Sequence, residues 1–168
     1  MRAEYTVKLF ETILFLSTSS GPGGAERVIS NLATSLDPAR YRAVLCLFRQ
    51  GWIQERSESR GVRTHIIPTC GMTDWRWALR FRRLLDEEHV DLIHAHEFDA
   101  NVQGAFVAAI SGIPLVATVH GKHYFWEKWR RRLAYRWVSR QATMVAVSED
   151  LKQFIVENVG ACPERITV

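Results

Sequence analysis

Apolar residues in this chain come in two rhythms. Short runs rich in Val, Ile, Leu and Phe read as buried strands at residues 13–16, 41–48, 63–67, 91–95, 115–119, 144–147 and 166–168. Between them, apolar positions recur every three or four residues, the spacing of an amphipathic helix. The first such stretch begins near Ala25 and puts Val28, Ile29, Leu32, Ala33 and Leu36 on one face. Residues 51–60 make a short polar helix or turn. A helix over 75–88 buries Trp77, Phe81, Leu84 and Leu85, exposes Arg76, Arg80, Arg82 and Arg83, and takes Asp74 as its cap. Small residues dominate 100–110, which suits a helix lying close on a sheet. A basic helix precedes the sixth strand, and Ser148 caps a last helix with Leu151, Phe154, Ile155 and Val159 on one face.

Strands alternating with helices predict an α/β domain, a Rossmann-like doubly wound parallel sheet of about seven strands covered on both faces. In such sheets ligands bind beyond the carboxyl ends of the strands. Three tips qualify: residues 17–26, 96–99 and 120–123. The first runs through SSGPGGAER into a helix, so its backbone N–H groups lie at the positive end of a helix dipole, where an anion can sit. Gly23 and Gly24 lack a Cβ and permit close approach. The spacing is neither G-x-G-x-x-G nor a Walker motif. A plain structural turn therefore stays open beside a ligand role, although two adjacent glycines exceed what a turn requires.

With 47% apolar and 24% charged residues, the chain has the composition of one soluble globular domain rather than a disordered one. No apolar run reaches the roughly 20 residues of a spanning helix. Cys46, Cys70 and Cys162 are odd in number and widely spaced, which fits a reducing cytoplasm without a disulfide frame or cysteine metal site. His94, His96 and His120 fall at or near neighbouring strand tips, a set from which zinc could be built. His94 lies inside an apolar strand, however, and is expected to be buried and bonded to backbone, so no metal site is expected. His120 sits between a strand and Gly121, at the cleft, where imidazole can give or take a hydrogen bond. Glu26 and Glu97 are the carboxylates nearest the cleft; each also fits a helix start.

The net charge of +4 is unevenly placed. Residues 122–140 hold seven basic residues and one acid, leaving the remainder at −2. Trp126, Trp129, Leu133 and Trp137 fall along one helical face, with Arg130, Arg131, Arg132, Arg136 and Arg140 on most of the rest. One account packs the tryptophans in the core above a solvated basic back. The other makes Trp126, Trp129, Arg130, Arg131 and Arg132 an edge facing anionic headgroups, as in interfacial helices. No helix-turn-helix or RNA motif accompanies the segment, and no nucleic-acid partner is expected.

The opening strand with GPGGAERVISNLATSL, the block IHAHEFDANVQGAFVAAISGIPLVATVHG and the block AVSEDLKQFIVENVG occur in an order and spacing that resembles the N-terminal domain of family 4 glycosyltransferases, which have the GT-B fold. The likeness runs from about Thr12 to the last residue. It implies an acceptor-side domain over 1–168, facing across a cleft a nucleotide-sugar domain that this chain lacks. It implies that Gly23 and Gly24 approach the donor diphosphate or the transferred sugar, and that His120 contacts the donor sugar. It places His96, Glu97, Lys122 and His123 toward a saccharide or lipid-linked acceptor. It also implies retention of configuration, no metal ion and no resident cofactor, the nucleotide-sugar being a co-substrate. The expected setting is the cytoplasm, peripheral at the inner face of the cell membrane, in surface-polysaccharide or glycolipid biosynthesis. This fragment alone is expected to be inactive. A nucleotide-sugar epimerase of the same fold, a non-catalytic module binding lipid or polysaccharide, and a metal hydrolase are the alternatives.

Overall fold

A computed structural model describes residues 10–18, 20–71, 73–122 and 128–168. Seven strands, β1 (Glu11–Ser17), β2 (Tyr41–Leu47), β3 (Arg63–Ile66), β4 (Leu92–His96), β5 (Leu115–Val119), β6 (Thr143–Ala146) and β7 (Ile166–Thr167), form one sheet in the order β3-β2-β1-β4-β5-β6-β7. Every pairing is parallel. The helices are α1 (Gly24–Ser35), α2 (Trp52–Glu58), α3 (Trp75–Glu87), α4 (Phe98–Ser111), α5 (Trp129–Gln141) and α6 (Glu149–Val159). Strand order reverses between β1 and β4, because the chain steps outward to β3 and then returns. The carboxyl ends of β1 and β4 therefore diverge into a crevice.

Side-chain alternation divides the core between the two faces of the sheet. Phe15, Leu45 and Leu47 pack with Ile29, Ala33 and Ile53 of α1 and α2. Leu14, Leu16, Val44 and Cys46 face the other way, onto Trp77, Phe81 and Leu85 of α3, Ala105 of α4 and Val138 of α5. Leu151, Phe154 and Ile155 of α6 join Met144 and Ala146 beyond them. Gly104 lets α4 lie close on the sheet, since a Cβ there would come within 3.3 Å of both Ala95 Cβ and Leu16 Cδ2. That close seat fixes the start of α4 against the end of β4.

Two helices are rotated from their expected faces. In α1 the buried residues are Glu26, Ile29, Ser30 and Ala33, whereas Val28 and Leu32 are exposed. Ser30 meets Ser57 of α2 with hydroxyls 3.4 Å apart, so this small residue, rather than Val28 or Leu32, faces α2 beside the apolar cluster of Ile29, Ala33 and Ile53. In α5 the inner face is Tyr135, Val138 and Ser139, while Trp129 is 61% exposed and Leu133 is exposed too. Tyr135 takes the inner place because its ring stacks on Phe98, at 5.0 Å, and its hydroxyl accepts from buried Asn101 Nδ2 at 2.8 Å. Among the described residues no helix is long and apolar enough to cross a membrane.

Candidate active site

The crevice is lined by the ends of β1, β4 and β5. After β1 the chain loops to Gly23, the N-cap of α1, and Glu26 in the first turn of α1 folds its carboxylate back against Gly23, where an added Cβ would collide with it. Gly24 faces open space. A carboxylate thus stands at the helix N-terminus, the position a free anion would favour, and is itself stabilised by the dipole. Gly51, at the start of α2, brings its backbone against this loop: a Cβ there would lie 2.7 Å from Ser20 O and Oγ. That supporting glycine lies outside every motif and shows itself only in three dimensions.

Glu97, between β4 and α4, has φ 70° and ψ 172°. This is a region populated almost entirely by glycine, and a side chain held there costs about 1–3 kcal/mol. The conformation is pinned on both sides, by Glu97 N donating to Thr118 O at 3.2 Å and Asn101 N donating to Glu97 O at 2.9 Å. Burial, then the charges of Glu26 and Asp99, push the Glu97 carboxyl above its ordinary range, and a hydrogen bond from Thr18 opposes them.

Beside Glu97 the three histidines form a row. The ring centroids of His94 and His96 are 4.2 Å apart, and those of His96 and His120 are 5.3 Å apart. His94 Nε2 meets the side-chain hydroxyl of Thr118 at 2.8 Å, not backbone as the sequence suggested. His96 is fully buried and its Nδ1 lies 3.0 Å from His120 Nε2. Burial first, then repulsion from His120, lowers His94 to about 4. His96 is held well below the usual imidazole value by burial and then by its two neighbours. Burial also lowers His120, against the opposing pull of Glu26. All three rings are therefore neutral at pH 7. His94 Nε2 is turned to Thr118 and His96 Nδ1 to His120 Nε2, and among the described residues no cluster of His, Cys, Asp and Glu is arranged to hold a metal ion.

A polar groove of about 420 Å³ opens next to Glu97, lined by Thr18, Arg49, Thr69, Asp99 and Gln103, with Phe48 and Gly71. Arg49 Nε donates to Thr18 O at 3.3 Å, tying the β2 tip to the β1 tip. Gln103 is buried, and its Oε1 has no hydrogen-bond partner among the described residues. Thr18 and Asp99 fall within the strand tips that the sequence selects, without being singled out there; Arg49 and Gln103 lie outside those tips, and only the approach of the β2 tip and of α4 brings them in.

The structure thus gathers Gly23, His96, Glu97 and His120, with Glu26. Lys122 goes elsewhere: its ammonium pairs with Asp150 Oδ2 at 2.5 Å and lies 5.4 Å from the Phe154 ring centre, on the α6 side. His123 and Trp126 lie outside the described residues. On α5, Trp129, Arg130 and Arg132 are exposed, whereas Arg131 lies over the Phe98 ring at 5.5 Å and is half-buried.

The family model described as Glycosyltransferase Family 4 matches residues 22–168. Among solved structures, HepE of Anabaena in complex with UDP and glucose superposes with a TM-score of 0.78 at 25% identity, over 93% of this chain and 43% of that one. A glycosyltransferase from Rickettsia africae gives a TM-score of 0.82 at 17% identity, over 95% of this chain and 42% of that one. UDP-GlcNAc 2-epimerase from Methanocaldococcus jannaschii shares the fold, with a TM-score of 0.62 at 13% identity over 95% of this chain and 45% of that one. The chain spans less than half the length of each. A comparison with curated protein sequences found no match.

Proposed function

The chain belongs to glycosyltransferase family 4, and we propose that it forms the acceptor side of an enzyme moving a sugar from a nucleotide-sugar to a saccharide or lipid-linked acceptor. The observation that carries this reading is the convergence of Glu26, Glu97 and neutral His120 at the point where strand order reverses. Two carboxyl groups and an uncharged imidazole suit sugar hydroxyls, which both give and accept hydrogen bonds. They suit a diphosphate poorly. With Glu26 folded on Gly23, the glycine turn is the place for the transferred sugar, and the diphosphate belongs nearer the partner domain of the full-length enzyme.

His96 sets the face His120 shows. A buried N–H without a partner is rarer and costlier than a bare lone pair. His96 therefore donates from Nδ1 to His120 Nε2 and keeps its unpartnered, buried Nε2 as the lone pair. His120 then carries its proton on Nδ1, a fixed donor for a donor-sugar oxygen. The polar groove beside Glu97 holds the acceptor head, with Arg49, Asp99 and Gln103 as its polar contacts. Transfer proceeds with retention, without a metal or resident cofactor, and serves surface-polysaccharide or glycolipid assembly. The enzyme works in the cytoplasm, with exposed Trp129, Arg130 and Arg132 toward an anionic inner leaflet.

In the full-length enzyme, His120→Ala is expected to lower kcat about a hundredfold or more, the scale of losing one aimed donor, with the fold intact by circular dichroism. Wild-type turnover in that variant would remove His120 from the site. Interconversion of a nucleotide-sugar without transfer would favour the epimerase.

A further inference from the structure

Among the described residues, the most exposed aromatic side chains lie on α3, α4 and α5. Trp75 and Leu79 of α3, Phe106 and Ile110 of α4, and Trp129 and Leu133 of α5 are each half or more exposed. Trp75 at 63% and Phe106 at 51% stand at the mouth of a groove of about 330 Å³ between these helices. Trp77, Ala78, Val102 and Trp137 form its walls. A contiguous apolar hollow of this kind, left open to solvent, is a mark of a binding surface.

Two features identify its occupant. The hollow adjoins the polar groove: Gln103 lines both, with its Oε1 buried and unpartnered. A molecule with a polar head beside Glu97 and Asp99 thus has an apolar channel leading away from the head along α4. The helices walling that channel, α3 and α5, carry nine arginines against two carboxylates, Asp86 and Glu87, and the one carboxylate lining the groove, Asp74, is paired with Arg80 at 3.9 Å. Arg76 lies over the Trp75 ring at 5.6 Å, beside the groove mouth. An apolar hollow whose one carboxylate is already paired, flanked by helices with this excess of arginine, complements an anionic amphiphile.

We infer that this groove holds the hydrocarbon chain of a phosphate-linked lipid acceptor whose sugar head occupies the polar groove. Gln103 sits at the junction, its free Oε1 accepting from a hydroxyl at the head. This rests on reading the polar groove as the acceptor groove, and it selects a lipid-linked acceptor over a free saccharide.

Dodecyl phosphate and butyl phosphate test the chain site without any sugar, titrated below micelle concentrations against tryptophan fluorescence. Each buried methylene contributes about fourfold in affinity, so the dodecyl chain should bind at least about a hundredfold more tightly than the butyl chain. Trp75→Ser with Phe106→Ser should abolish that difference, and because both side chains are exposed the variant should melt like the wild type. Equal affinity for the two phosphates would overturn the inference, as would chain-length dependence that survives the double substitution. Should the variant fail to fold, fluorescence quenching of the wild type by a dibrominated dodecyl phosphate decides instead, absence of quenching counting against the groove. If chain-length dependence holds but the full-length enzyme transfers no sugar, the lipid site stands and the transferase reading falls. A working transferase that uses free saccharides as readily as lipid-linked ones would sustain the transferase reading and overturn the lipid site.

Discussion

The cleft end of the sheet and the outer face of α3, α4 and α5 depart from ordinary protein architecture in opposite directions. In the cleft, polar groups are withdrawn from water: His96 is fully buried, Glu26 nearly so, and Glu97 is held in a glycine-like conformation. On the outer face, Trp75, Phe106 and Trp129 are left in water among arginines. Neither arrangement helps the domain fold. The cleft incurs desolvation and backbone strain, and the outer face forgoes burial. Both are tolerated because the apolar clusters on the two sides of the sheet support them from beneath, Phe15 against His96 in the cleft and Trp77 in the wall of the outer groove. Positions that work against local stability in a well-packed frame are where function is to be sought. The two regions should answer substitution differently: the cleft through stability and pH, the outer face through binding alone.

The largest effect is expected beneath the cleft. Asn101 Nδ2 donates to Thr118 O at 3.0 Å and to Tyr135 Oη at 2.8 Å, in full burial. Asn101→Ala strips both acceptors of this donor and opens a void, at a cost of about 3 kcal/mol. Urea denaturation should show it as a lower midpoint with an unchanged slope. A loss below about 1 kcal/mol would mean that the α4–α5 junction relaxes easily and the cleft is not rigidly based.

Next comes pH. The folded values of His94, His96 and His120 lie below the ordinary imidazole value, so below about pH 6.5 the unfolded chain takes up protons that the folded chain refuses. Their contribution is complete above that pH and is lost as pH falls. For His94 the loss spans pH 6.5 to about 4 and amounts to as much as about 3 kcal/mol. Glu97 acts in the opposite sense: its raised value gives stability that is present below its unfolded value near 4.5 and lost as pH rises through the folded one. His94→Gln, which keeps a partner for the Thr118 hydroxyl, should flatten the acid limb of the stability profile. An unchanged limb would show that His94 charges readily where it stands.

The sheet was legible in the sequence because parallel strands buried on both faces leave unbroken apolar runs. The strand at 115–119 and the caps Asp74 and Ser148 came through intact, each cap bonded to the N–H three residues on. The faces of α1 and α5 were not, because periodicity weighs residues by hydrophobicity alone. It ranks Trp129 above Tyr135, whereas packing prefers the ring that stacks on Phe98 and offers its hydroxyl to Asn101. In the candidate site, the placing of His96, Glu97 and His120 at neighbouring strand ends could be read from the sequence. The backbone angle of Glu97 and the meeting of Arg49 with Thr18 leave no trace in local sequence.

Glu97 offers a smaller effect, of reversed sign. Glu97→Gly removes backbone strain of about 1–3 kcal/mol and the repulsion from Glu26 and Asp99. It loses the bond from Thr18 and gives the unfolded chain more freedom. The net should be a gain of about 1 kcal/mol. Glu97→Ala removes the same carboxylate but keeps the strain, so the glycine variant should be the more stable of the two by a similar margin. Both should lose turnover in the full-length enzyme. If the alanine and glycine variants melt together, the conformation of Glu97 costs nothing, and the case for a strained cleft weakens.

The smallest effect on stability, close to zero, belongs to the outer face. Arg130 and Arg132 are exposed on α5, and surface substitutions of this kind usually stay within about 0.5 kcal/mol. Arg131 is unsuitable for the test, because its guanidinium covers Phe98 and its loss would disturb the Phe98–Tyr135 stack. Each basic residue near an anionic leaflet is worth about 1 kcal/mol, so Arg130→Ser with Arg132→Ser should weaken binding to phosphatidylserine vesicles roughly thirtyfold at low salt, while the melting curve stays in place. Raising the salt should erase the difference between variant and wild type, since these charges act through solvent over a Debye length. Vesicle binding that ignores both arginines and salt would confine any lipid contact to the groove at Trp75 and Phe106, and would reduce α5 to a solvated basic helix.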